Sequence, residues 1–124
     1  MLNIETSRAL VEVLAVIRPN AVTKTVRALE QIEQLAFTRW RALGRGRQGG
    51  IRVDSDQADA PSIEWLSKIV LTVVVPADHV KSTVNAIVTA NQTGRVGDGR
   101  IFVCPLDEEV SVRTGGRCAI TAEA

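Results

Sequence analysis

The feature that most constrains the fold of this chain is a strand–proline–helix unit that occurs twice. Residues 13–22 read VLAVIRPNAV and residues 70–80 read VLTVVVPADHV, with Pro19 and Pro76 57 positions apart (76 − 19). In both units a run rich in β-branched residues, which is typical of a buried strand, stops at the proline. The repeat therefore predicts two β-α units in one chain.

The residues after each proline predict an amphipathic helix. Asn20 is the expected cap of a first helix that begins at Ala21, and Asp78 is the expected cap of the second. Apolar residues then recur at steps of three and four, which marks one face of a helix. They are Val22, Val26, Leu29, Ile32 and Ala36 in the first helix and Val80, Val84, Ile87 and Val88 in the second.

Further strands complete the pattern. The predicted strands span residues 11–17, 37–43, 63–75, 101–106 and 110–112. The order β-α-β, long loop, β-α-β predicts an α+β fold of the ferredoxin-like split βαβ type, with two helices on one face of a four-stranded antiparallel sheet. Because so small a domain leaves its other sheet face apolar and uncovered, we expect a homo-oligomer.

Length and composition limit the classes of function. The 124 residues, 45% of them hydrophobic, fit a single domain with one core. A net charge of +1 argues against nucleic-acid binding. The longest apolar run, 69–77, is far shorter than the ~20 residues of a transmembrane helix, and the N-terminus lacks the pattern of a signal peptide. We therefore expect a cytoplasmic protein without membrane insertion.

Residues that could carry catalysis or bind metal are few. Cys104 and Cys118 do not make a disulfide framework, and together with the single histidine, His79, they do not make a zinc site. The acidic residues fall in the long loop or a turn, and no nucleophile is paired with a base. We expect neither a metal site nor enzyme activity, and we interpret His79 as a surface residue.

Three clusters combine glycine with arginine: 44–50 (GRGRQGG), 94–100 (GRVGDGR) and 113–117 (RTGGR). Glycines expose backbone N–H groups and permit positive φ, which is how anion-binding nests form. Arginine adds a fixed fork of donors suited to phosphate or carboxylate. The clusters therefore indicate an anion site, most simply for nucleotide phosphates. Neither a GxxxxGK[ST] P-loop nor a GxGxxG motif that opens a helix is present, so P-loop and Rossmann mechanisms are excluded.

The stretch TGRVGDGRIFV, followed by VSVRTG, resembles the signature of the PII nitrogen-regulatory signal proteins. The motifs IRP, GRGRQGG and LSK extend the resemblance over roughly residues 11–116. It implies a homotrimer that binds adenine nucleotides between subunits and contacts a target protein through a long T-loop. It also implies a single domain over residues 1–124, comprising an N-terminal extension (1–10), the T-loop (44–65), a phosphate loop (93–100) and a C-terminal loop and tail (113–124).

The resemblance assigns roles to particular residues. Thr38 and Gly44 are expected near the adenine and the start of the T-loop, and Arg113 is expected to reach the phosphates across the cleft. The phosphates would be cradled by Gly97, Asp98, Gly99 and Arg100, where most relatives have lysine in place of Arg100. The positions that in 2-oxoglutarate-binding members hold the nucleotide and the carboxylate co-ligand are Gly46, Arg47, Gln48 and Lys68.

The sequence also departs from the family pattern. It contains no tyrosine, so the T-loop tyrosine that is uridylylated in some members is absent. Residues 51–65 are unlike the usual T-loop, which indicates a different target. Ser111 stands where the first of two C-terminal arginines usually lies. Because one charge-assisted contact to phosphate is lost, we expect ADP or AMP to bind comparably to ATP.

Two interpretations of the regulator remain open on the sequence. One is nitrogen control, with 2-oxoglutarate and Mg²⁺ bound beside the nucleotide and nitrogenase as the regulated system. The other is a divergent sensor of carbon or energy status, similar to carboxysome-associated members that respond to adenine nucleotides and bicarbonate. A slow ATPase is a third, remote alternative, since the sequence offers no base that would orient water.

Overall fold

A computed structural model of the chain describes residues 9–32, 36–45, 51–53 and 62–119. It contains eight strands and two α-helices within that part of the chain. In chain order they are β1 (Leu10–Ile17), α1 (Val22–Glu30), β2 (Phe37–Gly44), β3 (Ile51–Val53), β4 (Ser62–Glu64), β5 (Leu66–Pro76), α2 (Val80–Asn91), β6 (Gly99–Pro105), β7 (Glu108–Val110) and β8 (Arg117–Ala119).

The four long strands form one antiparallel sheet in the order β2-β5-β1-β6. Strand β1 is central: Val13 pairs with Val73 of β5 on one side and with Val103 of β6 on the other. Both helices pack on one face, as the predicted ferredoxin-like fold requires. The βαββαβ order of the sheet and helices confirms the fold class that the repeated unit predicts.

The core lies between this sheet face and the two helices. Alternate residues of the central strands are buried because successive side chains of a strand point to opposite faces. The buried cluster comprises Val13, Ala15, Ile17, Ile69, Leu71, Val73 and Val75 from the strands and Val22, Leu29 and Ile87 from the helices. The helices are also joined by a hydrogen bond, since Asn91 Nδ2 donates to Thr25 Oγ1 at 2.9 Å.

The opposite face of the sheet remains apolar and accessible in the isolated chain. Trp40 is 47% exposed and Phe102 is 50% exposed. Trp40 pairs with Val70, and Phe102 pairs with Leu14, so these side chains lie on the face that the helices leave open. This face is the one for which the sequence predicts a cover.

The predicted helix starts are wrong in detail. Neither Asn20 nor Asp78 makes a side-chain cap, because each helix is entered through a short 3₁₀ turn, Pro19–Ala21 or Ala77–His79, closed by backbone bonds. The first helix also ends earlier than predicted, at Glu30. Its last turn tightens through i→i−3 bonds, including Ile32 N–H to Leu29 O at 3.0 Å, so Ile32 and Ala36 lie beyond it.

Two strand predictions need correction, and so does the prediction that the long loop contains no strands. The stretch 63–75 is divided at Trp65 into β4 and β5. The long loop contains a short ladder, in which Ile51 pairs with Glu64. The strand predicted over 110–112 ends at Val110 as β7, because Ser111 N–H to Gly116 O and Gly115 N–H to Ser111 O close a turn there. Val112 is accordingly 97% exposed.

Among the described residues, no helix is long and apolar enough to cross a membrane. Within the same residues, no three side chains of histidine, cysteine, aspartate or glutamate gather in a way that could hold a metal ion.

Candidate functional site

The glycine-rich loop 93–100 connects α2 to β6 at one end of the sheet. Gly94, Gly97 and Gly99 have φ of 82°, 99° and 120°, in the left-handed region that favours glycine. The constraint is strongest at Gly99, where an added Cβ would lie 2.1 Å from the carbonyl oxygen of Val16. This position needs glycine because β6 begins in close contact with the end of β1.

Asp98 organises the loop from within. Its carboxylate accepts the backbone N–H groups of Thr93 and Gly94, at 2.7 and 2.9 Å, and also the Thr93 hydroxyl. These bonds, first of all that of the Thr93 hydroxyl, lower the pKa of Asp98 from 3.8 to about 2. The carboxylate is therefore ionised at neutral pH, and each of its two oxygens accepts a hydrogen bond from a donor of its own loop.

Two cationic side chains that lie outside the loop, Arg18 and Lys68, hold it by hydrogen bonds. Arg18, which directly follows β1, donates from Nη1 to Asp98 Oδ1 at 2.9 Å and from Nη2 to Val96 O at 3.0 Å. Lys68 of β5 donates from Nζ to Gly97 O at 3.2 Å. Burial, and secondarily the nearby Arg18 charge, lower the pKa of Lys68, while Asp98 acts in the opposite direction. The loop is thus attached to the sheet at three consecutive residues.

The 93–100 loop forms one wall of a cleft of about 620 Å³. The lining residues are Val16, Gly44, Arg45, Leu66, Lys68, Arg95, Val96, Gly97, Asp98, Gly99, Arg100 and Phe102. Among these lining residues, which all belong to the described part of the chain, four are cationic and Asp98 alone is anionic, and its carboxylate is paired with Arg18. Cationic side chains combined with glycine backbone suit an anionic ligand.

The cleft brings together six of the residues that the sequence singles out: Gly44, Lys68, Gly97, Asp98, Gly99 and Arg100. Thr38 lies elsewhere on the sheet. It pairs with Thr72, whereas Lys68 pairs with Ala42, so the two sites are separated by about 13 Å along the strand. Arg113 is exposed in the turn between β7 and β8. Gly46, Arg47 and Gln48 lie outside the described residues.

Sequence reasoning gave Arg18 no role, although IRP is one of the motifs that carry the resemblance. In the structure the Asp98 carboxylate accepts bonds from the loop and from Arg18, and its expected part in cradling phosphates stays a prediction. The register between β1 and β6 would have predicted the Arg18–Asp98 pair. Because Ile17 pairs with Gly99, the residues next to them, Arg18 and Asp98, are neighbours.

Comparisons with known proteins place the chain in a family. The family model described as nitrogen regulatory protein P-II matches residues 10–116. The chain therefore belongs to the P-II family, whose members are regulatory signal-transduction proteins of nitrogen metabolism.

Two individual relatives carry names that refer to nitrogen-fixation regions. The chain is 38% identical over 115 residues to "Nitrogen fixation nifHD region GlnB-like protein 2" of Methanothermobacter marburgensis, covering 86% of this chain and 94% of the relative. It is 39% identical over 101 residues to "Nitrogen fixation nifHD1 region GlnB-like protein 1" of Methanosarcina barkeri, covering 82% and 91%.

A solved structure supports the same assignment. The crystal structure of Arabidopsis thaliana PII bound to citrate matches with a TM-score of 0.68 and 30% sequence identity, covering 93% of this chain and 92% of that one. The alignment spans nearly the whole of both chains, so the likeness concerns the complete fold and not the sheet alone.

Proposed function

We propose that this chain is a non-catalytic regulator that binds an adenine nucleotide with its phosphates in the cleft beside the 93–100 loop. A small anionic co-ligand binds with it, and the T-loop, residues 44–65, transmits the ligand state to a partner protein. The observation that carries the proposal is the convergence of Gly44, Lys68 and the 97–100 backbone on one cleft with an excess of cations.

A homotrimer completes this site. Thr38 and Arg113 lie away from the cleft in their own subunit, as residues supplied to a neighbour's cleft would. The exposed sheet face with Trp40 and Phe102 offers the apolar surface that such an assembly would bury. Light scattering coupled to gel filtration gives the mass directly, and a monomer at micromolar concentration would contradict the proposal.

Nitrogen control, with 2-oxoglutarate and Mg²⁺ beside ATP, is the preferred form of this function. The relatives in Methanothermobacter and Methanosarcina are named for nitrogen-fixation regions. The Arabidopsis protein is bound to citrate, a carboxylate, in its crystal structure. Lys68 would be the cation that receives the carboxylate. Bicarbonate, as in the carboxysome-associated interpretation, is the second candidate because it also fits a lysine of this kind.

Calorimetric titration tests ligand binding and identifies the co-ligand. ATP, ADP and AMP are each titrated alone and then with 2-oxoglutarate and Mg²⁺ or with bicarbonate. We expect Arg100→Gln to weaken nucleotide binding about tenfold or more, the effect of losing one charged hydrogen bond. Arg27→Gln, an exposed position on α1, is the matched control and leaves the affinity unchanged. Absence of binding by the unmodified protein would overturn the proposal.

The serine at position 111 addresses nucleotide preference. Ser111 closes the β7–β8 turn through its backbone N–H and carbonyl groups. Its side chain adds no positive charge for a nucleotide phosphate. We expect ATP and ADP to bind within about tenfold of each other, a difference below about 1.4 kcal/mol. Ser111→Arg should raise ATP affinity by about tenfold or more through an added charged contact. An ATP preference already larger than this in the unmodified protein would contradict the expectation.

Absence of catalysis and control of a partner are tested separately. Phosphate release from ATP should stay at background, whereas turnover that Asp98→Asn abolishes would support the slow ATPase alternative. For the partner, the intact protein and a variant lacking residues 51–61 are used to capture binding proteins with ATP or with ADP. Ligand-dependent capture that requires the T-loop supports the proposal, and capture independent of both contradicts it.

A further inference from the structure

We propose that Arg18 is a positioning residue of the nucleotide site: its guanidinium fixes the 93–100 loop and neutralises Asp98, without itself contacting phosphate. This inference rests on the proposed function, because it concerns the same cleft. Arg18 is not among the residues that line the cleft, whereas Val96 and Asp98, the two residues to which it donates, both are.

The geometry uses both arms of the guanidinium. One nitrogen reaches a carboxylate oxygen of Asp98 at 2.9 Å and the other reaches the carbonyl oxygen of Val96 at 3.0 Å. These acceptors lie on either side of Gly97, whose φ is 99°. A rigid fork of donors that spans both sides of a glycine fixes the orientation of the peptide groups between them.

Charge gives Arg18 a second effect. Asp98 is ionised, since hydrogen bonds from its own loop lower its pKa, and it lines a cleft that otherwise collects cations. An unpaired carboxylate there would repel phosphate oxygens. The ion pair with Arg18 offsets that charge, so Asp98 can close the loop without weakening an anion site.

The two effects can be separated by substitution. Arg18→Gln removes the charge and the fork, whereas Arg18→Lys keeps the charge but places a single ammonium group where two donors stood. Asp98→Asn removes the charge that Arg18 neutralises. Arg27→Gln on the exposed side of α1 has the same change of residue type and serves as the control.

ADP affinity is measured by calorimetry for the unmodified protein, these variants and the double variant Arg18→Gln/Asp98→Asn. We expect Arg18→Gln to weaken ADP binding about tenfold or more, with only partial recovery in Arg18→Lys. In the Asp98→Asn background, the same Arg18→Gln change should cost about threefold less in ADP affinity than in the unmodified background, because the ion pair is already gone while the bond to Val96 O is still lost. Oligomer mass should match that of Arg27→Gln, which shows that the assembly is intact in each variant.

Several results would overturn the inference. ADP affinity in Arg18→Gln within about threefold of the unmodified protein removes any role for Arg18. An equal loss in both backgrounds means that Arg18 contacts the ligand directly, and full recovery by lysine means that charge alone acts. If the unmodified protein binds no nucleotide, the proposed function fails, and hydrogen exchange at Thr93 and Gly94 then decides on positioning: it must quicken in Arg18→Gln.

Discussion

Two loops of this molecule share a composition of glycine, arginine and threonine, yet they are held in different ways. The 93–100 loop is attached to the sheet by Arg18 and Lys68 and closed by Asp98. The turn over 111–116, between β7 and β8, is closed by bonds among its own residues, such as Gly115 N–H to Ser111 O at 2.7 Å and Gly116 N–H to Thr114 Oγ1 at 3.1 Å. Composition alone therefore does not distinguish an anchored loop from a self-contained turn.

The difference has a functional meaning under the proposed function. A loop fixed by the sheet presents its backbone in one arrangement before a ligand arrives, so little ordering is needed on binding. A turn that depends on local bonds alone can adjust to a ligand or a neighbouring subunit. The first loop would supply the preformed part of the site, and the second would supply Arg113 as the adjustable part.

The sharpest test of the comparison replaces one glycine in each loop. Gly99→Ala should lower the free energy of unfolding by about 2–5 kcal/mol, since it adds strain at positive φ to a clash with backbone. A Cβ at Gly115, with φ of 70°, meets no atom within 4 Å, so Gly115→Ala should cost only about 1 kcal/mol. Urea unfolding measures both, and equal costs would contradict the comparison.

Amide hydrogen exchange compares the loops without mutation. Thr93 and Gly94 donate to the Asp98 carboxylate, whereas Thr114 and Gly116 donate to hydroxyls within an exposed turn. We expect the first pair to exchange about tenfold more slowly, corresponding to about 1.4 kcal/mol of added protection. Slow exchange in both loops before any ligand is added would show that the hairpin turn is also preformed.

Low pH should weaken the hydrogen bonds and the ion pair by which Asp98 holds the 93–100 loop. The pKa of Asp98 is about 2 in the folded chain, below its ordinary 3.8. Its ionised form therefore stabilises the fold above about pH 4, and this contribution is lost as the pH falls from about 4 to about 2. Asp98→Asn should be less stable than the unmodified protein at neutral pH, and the gap should narrow in that window. A gap that stays constant down to about pH 2 would contradict the assignment.

The smallest effect on the free energy of unfolding is expected at Arg113, in the adjustable turn between β7 and β8. Arg113 is exposed, so Arg113→Gln should change the free energy of unfolding by less than about 0.5 kcal/mol. Under the proposed function the same variant should still weaken ATP binding by about tenfold, as loss of a charged contact does. Paired measurement of unfolding and calorimetric affinity checks this, and a large loss of stability would show that Arg113 is structural.

The sequence was a good guide where hydrophobic periodicity decides the structure. The repeated unit predicts the sheet and both helices because β-branched runs and amphipathic faces bury most of the core. It failed at element ends, where backbone bonds in 3₁₀ turns replace the expected caps at Asn20 and Asp78. Those ends depend on local geometry that several side chains satisfy equally well.

The candidate site shows the same division. Two of the three glycine–arginine clusters contribute residues to the cleft, whereas the cluster at 113–117 lies in the β7–β8 turn and at the beginning of β8. The Arg18–Asp98 pair was missed since its members are 80 residues apart in the chain and meet only through the strand register. Charge pairing across a sheet requires the register, which periodicity alone does not provide.

The central position of β1 also sets the order in which the chain can fold during synthesis. Val13 of β1 pairs with Val103 of β6. The four-stranded sheet is therefore complete only after β6 has been synthesised. At translation rates of about 5–20 residues per second, the separation of 90 positions (103 − 13) corresponds to a delay of about 5–18 s. Throughout that interval the edge of β1 that pairs with β6 lacks its partner strand, and an unpaired strand edge is a site where other chains can add and aggregate.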